Sequence, residues 1–340
     1  RPLTSAREPV LRSLRIARRR FAGVVPTIFV MAHLGPALIA VAATFTWFQP
    51  GRFIASGDIG PYIRDGLAPE LGSVWNHQLT GAGSTSYEVV RGIDLALIRL
   101  VELLGGSEIT AQHVLLALCV ASAASGSAFF ASVFARHPIS IAAGLLGVFN
   151  PFLLVLLPNP LFPLAIGVAG VIGGLVLRAA RGDRVSSIAL ALATLPIAYL
   201  SVNPPLLAVL AVWTLAIATT ANLLVGAGSA RRAYLALVRA CPFVLLLSLW
   251  WTVPLVLTLF GGDIILGAET NIDAWAWSHA DNSILNVATL EAHWGWAYVD
   301  VFPFGSYMRH GIWPVLRTAL PLGALFGVTV VRGRSALTLG

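Results

Sequence analysis

Long apolar segments constrain this chain most, because an α-helix needs about 20 apolar residues to cross the hydrocarbon of a membrane. Hydrophobic residues make up 57% of the 340 residues and charged residues only 11%, against roughly 25% charged residues in soluble domains. The sequence therefore predicts an all-α polytopic membrane protein with about eight transmembrane helices. The predicted spans are 24–48, 112–135, 139–157, 161–177, 186–202, 205–227, 241–260 and 312–331.

The distribution of arginine predicts how the chain is oriented. All 22 basic residues are arginine, and 16 of them fall in alternate connecting segments that contain only two carboxylates. These segments are 1–23, 136–138, 178–185, 228–240 and 332–340. The other 13 carboxylates lie in two long loops, 49–111 and 261–311. By the positive-inside rule, the N-terminal segment and the 332–340 tail are cytoplasmic and both long loops are extracytoplasmic. This predicts one membrane domain over 24–331 in the plasma membrane.

The same placement explains the basic pI of about 10.2 without a nucleic-acid partner. The arginine clusters suit the anionic lipid of a membrane surface, and they are also candidates for docking an acidic cytoplasmic protein. Both cysteines, Cys119 and Cys241, lie inside apolar runs. They are interpreted as small buried hydrophobic residues rather than as a disulfide or a metal pair.

Proline marks the predicted ends and breaks of the membrane helices. The turns "LLPNPLFP" at 156–163 and "SVNPPLL" at 201–207 should stop helices, since proline lacks an N–H group and restricts the residue before it. Inside the third span, "FNPF" at 149–152 should kink the helix and free backbone carbonyls. Such carbonyls are tolerated in a membrane only against protein or a water-filled cavity.

The first outer loop contains a predicted amphipathic helix at 86–104. At 100° per residue, Glu88, Arg91, Arg99 and Glu102 form one narrow polar stripe, and most other positions are apolar. This pattern is typical of a helix that lies in the membrane interface or packs against the bundle. The pairs Glu88/Arg91 and Arg99/Glu102 have the i,i+3 spacing of solvated ion pairs.

Ahead of that helix, "FIASGDIGPYIRDG" at 53–66 places charged groups next to a membrane span. Asp58 has two interpretations: it caps a helix that starts near Pro61, or it acts chemically. A partly dehydrated carboxylate can serve as a general base on a hydroxyl group or bind a divalent cation such as Mg²⁺, Mn²⁺ or Ca²⁺. Asp65 is a candidate second carboxylate, and Arg64 is a candidate for bidentate binding of phosphate.

Aromatic and polar side chains alternate in both outer loops. Aromatic rings offer flat apolar faces and amides offer paired donors and acceptors, which suits sugars, although Trp and Tyr occur at membrane interfaces whatever the function. The candidate sugar-binding residues are Trp75, Asn76, His77 and Tyr87 in the first loop, and Trp275, Trp277, His279, Glu291, His293 and Trp294 in the second.

The order of these parts resembles the GT-C class of membrane glycosyltransferases. The segments "QPGRFIASGDIGPYIRDGL", "SVWNHQLTGAGSTSYEVVRGIDLALIRLVELLGGSEITAQ" and "FNPF" are similar to the amino-terminal membrane region of actinobacterial arabinofuranosyltransferases of the AftD type. This resemblance implies transfer of arabinofuranose from a decaprenyl-phosphate donor to cell-wall arabinan outside the plasma membrane. It also implies that Asp58 is the catalytic aspartate of the first outer loop.

A lipid-phosphate donor also follows from the predicted location, because nucleotide sugars are not available outside the cytoplasm. In this hypothesis Asp58 deprotonates the acceptor. The leaving phosphate is neutralised by Arg64, by Arg91 or by a cation that Asp58 and Asp65 hold. The lipid tail is expected in a groove between the interfacial helix and the third span.

Two other functions fit the same sequence. A transporter or flippase for a lipid-linked sugar predicts ionisable residues at mid-membrane and broken helices. His33 is the one ionisable residue at the centre of a predicted span. A non-catalytic membrane scaffold that binds a glycan predicts outer-loop carboxylates that can be neutralised one at a time at little cost.

Overall fold

A computed structural model gives the structure of the chain in several ranges. The described residues are 33–47, 51–52, 75–76, 84–85, 92–135, 137–156, 159–201, 203–260, 283–289, 310–312, 315, 318–319 and 322–323. Among them, helices dominate and two very short strands are present. The helices are α1 His33–Thr46, α2 Gly92–Leu103, α3 Glu108–Ala131, α4 His137–Leu146, α5 Pro151–Leu156, α6 Leu161–Arg181, α7 Ser187–Leu192, α8 Ile197–Leu200, α9 Pro204–Leu224, α10 Ser229–Phe260 and α11 Ile284–Ala288. The strands are β1 Trp75–Asn76 and β2 Ser84–Thr85.

Four of these helices, α3, α6, α9 and α10, are long and apolar enough to cross a membrane. They coincide with the second, fourth, sixth and seventh predicted spans, so the described structure is helical, as predicted, and compatible with a polytopic membrane protein. Helix α1 and the segment Ser187–Leu200 are shorter apolar helices in the first and fifth predicted spans. The number of eight spans, the orientation and the single domain over 24–331 stay predictions.

The helix of the seventh predicted span begins before the span itself. Residues 228–240 were expected to form a connection, but α10 begins at Ser229 and continues for 32 residues. At 1.5 Å per residue this helix is about 48 Å long, which exceeds the roughly 30 Å of membrane hydrocarbon. The helix extends beyond the predicted span because hydropathy marks where a helix enters lipid and not where it begins. The first turn is capped from α9, since Ala230 N donates to Asn222 Oδ1 at 2.9 Å.

The third span is interrupted at the predicted position. Helix α4 ends at Leu146 and α5 begins at Pro151. Proline has no N–H group to donate and disfavours helical backbone at the residue before it. The side chain of Asn150 then accepts a hydrogen bond from Leu153 N at 2.9 Å, as an N-cap residue does. The break predicted at "FNPF" is present, since one helix ends before it and another begins within it.

The fifth span, which was predicted to be continuous over 186–202, is interrupted as well. Helix α7 ends at Leu192 and α8 begins at Ile197. The turn between them uses hydrogen bonds over three residues, from Thr194 N to Ala191 O at 3.0 Å and from Ile197 N to Thr194 O at 2.9 Å. The N–H group that Pro196 lacks explains why the α-helical pattern stops there.

The first outer loop contains a strand pair that the all-α prediction did not include. Strands β1 and β2 pair antiparallel, with Trp75 opposite Thr85 and Asn76 opposite Ser84. Strands of two residues carry too little periodicity to be recognised from alternation of apolar and polar residues. The predicted helix at 86–104 is present as α2, which covers Gly92–Leu103 among the described residues.

The centre of the bundle is a close contact between α3 and α6. A Cβ atom built on Gly126 of α3 would overlap the backbone of Gly167, and one built on Gly170 would overlap the backbone of Gly126. A Cβ atom on Gly167 would overlap Ser122. Small residues at such contacts let membrane helices pack backbone against backbone. The sequence spacing Ser122-x-x-x-Gly126 is the pattern typical of these interfaces.

The neighbouring helices pack on this pair through small residues and one tryptophan. Gly144 of α4 faces Pro36 of α1 and backbone of α3. From α9, Trp213 Nε1 donates to Ala169 O of α6 at 3.1 Å. Neither cysteine is part of a disulfide: Cys119 is buried as predicted, but Cys241 is exposed on α10. The prediction of a buried Cys241 was wrong because an apolar run does not reveal which helix face packs inward.

The chain divides into two compact units. The larger unit lies within Arg1–Phe149 and Leu157–Asp263 and contains α1 to α4, α6 to α10 and both strands. The other unit lies within Asn150–Leu156 and Ile264–Gly340 and contains α5 and α11. In α11 the side chain of Ser283 accepts from Asn286 N at 3.1 Å, which caps the helix start.

Substitution of Gly126 by alanine should destabilise the protein. The added methyl group has no space against Gly167, and overpacking of this kind costs about 1–3 kcal/mol. Gly35→Ala is the matched control, because that glycine lies in α1 with open space where a Cβ would be. Thermal unfolding of the detergent-purified protein should show a lower Tm for Gly126→Ala only. An unchanged Tm would contradict the close α3–α6 contact.

Candidate functional site

The structure describes two of the residues that the sequence predicts for the site, Trp75 and Asn76. Both lie in β1. The other predicted site residues lie outside the described residues, so their roles stay predictions. They are Asp58, Arg64, Asp65, His77, Tyr87, Arg91, Trp275, Trp277, His279, Glu291, His293 and Trp294.

The β1–β2 pair lies near α10, one of the helices of membrane length. Cα atoms of β2 approach those of α10 within 8 Å, and β2 pairs in turn with β1. Helix α10 ends at Phe260, immediately before the predicted second outer loop at 261–311. The backbone of Trp75 and Asn76 therefore pairs with a strand that lies near α10, the helix that precedes the predicted second outer loop in the sequence.

Helix α2 confirms part of the amphipathic prediction for this loop. Arg99 Nη1 and Glu102 Oε2 form an ion pair at 2.6 Å with the predicted i,i+3 spacing. On another side of α2, Ile98 and Val101 are buried in a cluster with Ala111 of α3. Leu103 is 85% exposed, so α2 both packs against the bundle and presents an apolar side chain outward, as an interfacial helix does.

A side chain of α3 contacts the backbone at the start of the first outer loop. The ring Nε2 of His113 lies 3.2 Å from Arg52 O, at hydrogen-bonding distance. The start of α3 is capped by Ser107, whose hydroxyl oxygen accepts from Thr110 N at 3.3 Å. Arg52, which directly precedes the segment that contains Asp58, is therefore held at the first turns of α3.

The larger described cavity lies among α6, α7, α8, α9 and α10. Its volume is about 520 Å³, within the roughly 300–1,000 Å³ of small-molecule sites. Its walls are mostly aliphatic side chains, with Trp251 as the aromatic member. The lining residues are Ile172, Leu190, Thr194, Leu195, Ile197, Leu207, Leu210, Ala211, Thr214, Leu215, Leu237, Ala240, Cys241, Val244, Leu245, Leu247, Ser248, Trp251 and Thr252.

The hydroxyl groups in this wall do not make the cavity polar. Thr194 donates to Ala191 O at 2.6 Å and Thr214 to Leu210 O at 2.8 Å. Ser248 donates to Leu245 O at 3.1 Å and Thr252 to Ser248 O at 2.9 Å. Each hydroxyl hydrogen is used by the backbone of its own helical segment, so the cavity suits hydrocarbon rather than a sugar or an ion.

The cavity opens sideways on the surface of the bundle. Ala211 and Leu215 on α9, and Cys241 and Leu245 on α10, are exposed and also line it. It follows α10 from Leu237 to Thr252 and α9 over its N-terminal half. It therefore extends toward the bundle end where α9 begins, which the arginine distribution predicts to be extracytoplasmic.

A second cavity of about 280 Å³ lies on the other side of the α7–α8 turn. Leu195 lines both cavities, and Leu164, Cys119 and Tyr199 line the smaller one. Sequence reasoning missed both spaces. On α10 the lining residues recur with helical spacing, but in a helix that is apolar on all sides this spacing does not distinguish a cavity wall from a packed interface.

The divalent cation predicted for Asp58 and Asp65 stays a prediction, since both residues lie outside the described ranges. Among the residues that the structure describes, His, Cys, Asp and Glu side chains form no group of three or more with the spacing of a metal site. The lipid-tail groove predicted between the interfacial helix and the third span is likewise untested. The described cavity is bounded by other helices.

The two thiols should differ in reactivity. Cys241 is exposed and lines the larger cavity, whereas Cys119 is 3% exposed. In detergent, a membrane-permeant maleimide should modify Cys241 well before Cys119, as followed by peptide mass spectrometry over time. Cys119→Ala and Cys241→Ala variants identify each adduct. Equal rates would show that the α9–α10 face is closed or that the α3–α6 core is open.

Protein-family models, curated protein sequences and solved structures all give no match to the chain. Two described features bear on function: the apolar cavity among α6 to α10, and the strand pair that brings the backbone of Trp75 and Asn76 near α10.

Proposed function

We propose that this protein is a membrane glycosyltransferase that uses a polyprenyl-phosphate-linked sugar. The observation that carries the proposal is the apolar cavity of about 520 Å³ that opens sideways between membrane-length helices. A donor with a long hydrocarbon chain reaches such a cavity from the bilayer, whereas a water-soluble sugar donor has no use for it. The acceptor is a cell-wall glycan and the sugar is arabinofuranose, as the resemblance of the outer-loop segments implies.

The proposed reaction is a substitution at the anomeric carbon of the donor sugar. An acceptor hydroxyl oxygen forms the new glycosidic bond while the bond between the anomeric carbon and the phosphate oxygen breaks. Polyprenyl phosphate leaves with the electron pair, and the acceptor proton passes to the carboxylate of Asp58. Arg64, Arg91 or a divalent cation held by Asp58 and Asp65 stabilises the leaving phosphate.

Sugar recognition is assigned to the aromatic and amide groups of the two outer loops. The proximity of β2 to α10 supports this assignment for Trp75 and Asn76, since β1 pairs with β2. In this proposal the lipid chain lies in the cavity beside α10 and the sugar that it carries is bound by the outer loops, where donors, acceptors and aromatic groups are most concentrated in the sequence.

A transporter of the same lipid-linked sugar is the second candidate. The observation in its favour is the interrupted α7–α8 segment, because transporters bind substrates at discontinuous helices. The turn at 193–196 adjoins both cavities through Leu195. A transporter would move the intact lipid-linked sugar between leaflets, whereas a transferase breaks the bond between sugar and phosphate.

Asp58→Asn tests the transferase proposal directly. Asparagine keeps the size and capping ability of aspartate but removes the base, so transfer from synthetic polyprenyl-phosphoryl arabinose to an arabinan acceptor should fall by about 10²–10⁴. Asp183→Asn, at an exposed position after α6, is the control and should leave the rate unchanged. Product is measured with radiolabelled sugar.

The other outcomes separate the alternatives. Movement of intact labelled donor across proteoliposomes without transfer would favour the transporter. Transfer that is equal in wild type and Asp58→Asn would reduce Asp58 to a helix cap. Binding of the arabinan acceptor without transfer or transport would favour the scaffold.

Filling the cavity should weaken binding of the lipid chain. Ala211→Trp places an indole in the cavity, and each methylene group that it displaces costs about 0.8 kcal/mol of apolar burial. Two displaced groups reduce affinity for polyprenyl phosphate about ten-fold, measured by native mass spectrometry. Ala216→Trp is the matched control, because Ala216 is exposed on the same helix and is not part of the cavity wall. Equal affinities would contradict the assignment.

A further inference from the structure

Five arginines gather at the bundle end where α6 finishes and α10 starts. We call Arg178, Arg181, Arg184, Arg231 and Arg232 the basic end cluster. Asp183 is the carboxylate within the same two segments. Among the described residues, none of the five guanidinium groups lies within 4.0 Å of a carboxylate. The ion pair that the described residues do form, Arg99–Glu102, is on α2 and outside the cluster. The cluster therefore carries an excess of positive charge that the described protein does not neutralise.

Two of these guanidinium groups are held in place by aromatic rings. The Cζ atom of Arg178 lies 4.8 Å from the ring centroid of Phe129, and that of Arg181 lies 5.7 Å from Phe134. Arg178 Nη2 also donates to Ser132 Oγ at 3.0 Å. Arginine held over an aromatic face has lost much of its side-chain freedom before any ligand binds, and it keeps further N–H groups for an acceptor.

The hydrogen bonding of Arg178 is incomplete. Its Nε atom is buried and makes no hydrogen bond within the described part of the chain. A buried N–H group without an acceptor is unfavourable, and an anionic oxygen is the acceptor that binds arginine most strongly. Phosphate offers several such oxygens in a geometry that matches the guanidinium fork.

Arg232 fixes the two helix ends to each other. Its Nε donates to Ala180 O at 2.6 Å and its Nη2 to Ser229 Oγ at 3.1 Å. The end of α6 is closed by Gly182 in the left-handed region and by Asp183 N, which donates to Arg178 O at 3.0 Å. Arg232 therefore positions the backbone of the cluster, while Arg178 and Arg181 remain available to a ligand.

The surroundings of the cluster are apolar. Phe134, beneath Arg181, is 42% exposed, and Val238, less than two turns beyond Arg232 on α10, is 67% exposed. Guanidinium heads next to exposed apolar side chains are typical of the level where lipid headgroups meet hydrocarbon. Helix α10 is longer than the hydrocarbon is thick, so part of it extends beyond the hydrocarbon. A lipid matches both the charge and the apolar surface, whereas an acidic protein matches only the charge.

We propose that the basic end cluster is a binding site for the phosphate headgroup of an anionic phospholipid. Arg178 and Arg181 bind the phosphate oxygens, and Arg232 is a positioning residue. Anionic lipids are concentrated in the cytoplasmic leaflet, which is the side that the arginine distribution predicts for this end. The site is distinct from the larger cavity, which extends toward the opposite end of α9 and α10, and it does not depend on the proposed transferase activity.

The test uses the full chain in nonionic detergent, titrated with short-chain phosphatidylglycerol and phosphatidylcholine and followed by native mass spectrometry. Phosphatidylglycerol should bind more tightly. Each arginine near a membrane surface contributes about five-fold to the binding of anionic lipid, so Arg178→Gln with Arg181→Gln should weaken phosphatidylglycerol binding by about 25-fold. Arg99→Gln, an arginine on α2 outside the cluster, is the matched control and should leave binding unchanged.

A second pair keeps the proposal testable if loss of Arg178 prevents folding. Arg181→Gln with Arg184→Gln changes two exposed arginines and should also weaken binding of phosphatidylglycerol. The proposal is overturned if both lipids bind equally or if neither double variant differs from wild type. It is also overturned if glycerol phosphate binds as tightly as the lipid, which indicates a site for soluble phosphate. Displacement of the lipid by a lower concentration of polyglutamate would overturn it in favour of an acidic protein partner.

Discussion

Helices α3 and α6 approach so closely at Gly126, Gly167 and Gly170 that no Cβ atom fits between their backbones. Within lipid there is little hydrophobic force between helices, so close packing and interhelical hydrogen bonds must hold them together. The rest of the larger unit is arranged around this pair: α4 packs on α3 through Gly144, and Trp213 joins α9 to α6. A methyl group at the centre would separate the pair on which the other helices rest.

The same arrangement leaves space elsewhere. The segment Ser187–Leu200 is a shorter apolar helix that turns at 193–196, and it does not fill the volume beside α6, α9 and α10. The two cavities lie on either side of that turn, with Leu195 in both walls. The tightly packed α3–α6 core and the two cavities around α7 and α8, which we call the hollow region, therefore result from the same arrangement of helices. The hollow region is the part that suits a lipid chain.

Features that depend on neighbouring residues were predicted well. The Asn-Pro pair at 150–151 ends one helix and begins the next, because proline lacks an N–H group and asparagine caps the new start. The Arg99–Glu102 pair follows from helical spacing alone. The early start of α10 at Ser229 and the pairing of β1 with β2 were not predicted. Both depend on contacts with other parts of the chain, such as the cap that Asn222 provides.

The sequence by itself determined that the chain forms apolar helices of membrane length and that its arginines and carboxylates separate into different connecting segments. These properties depend on how each residue partitions between lipid and water, which needs no partner. Only the tertiary structure decided which faces meet. The cavity wall, the hydrogen bond from Arg178 to Ser132 and the one from Arg232 to Ala180 join residues from helices far apart in sequence. No local pattern fixes such contacts, because in a helix that is apolar all round every face is equally suited to pack.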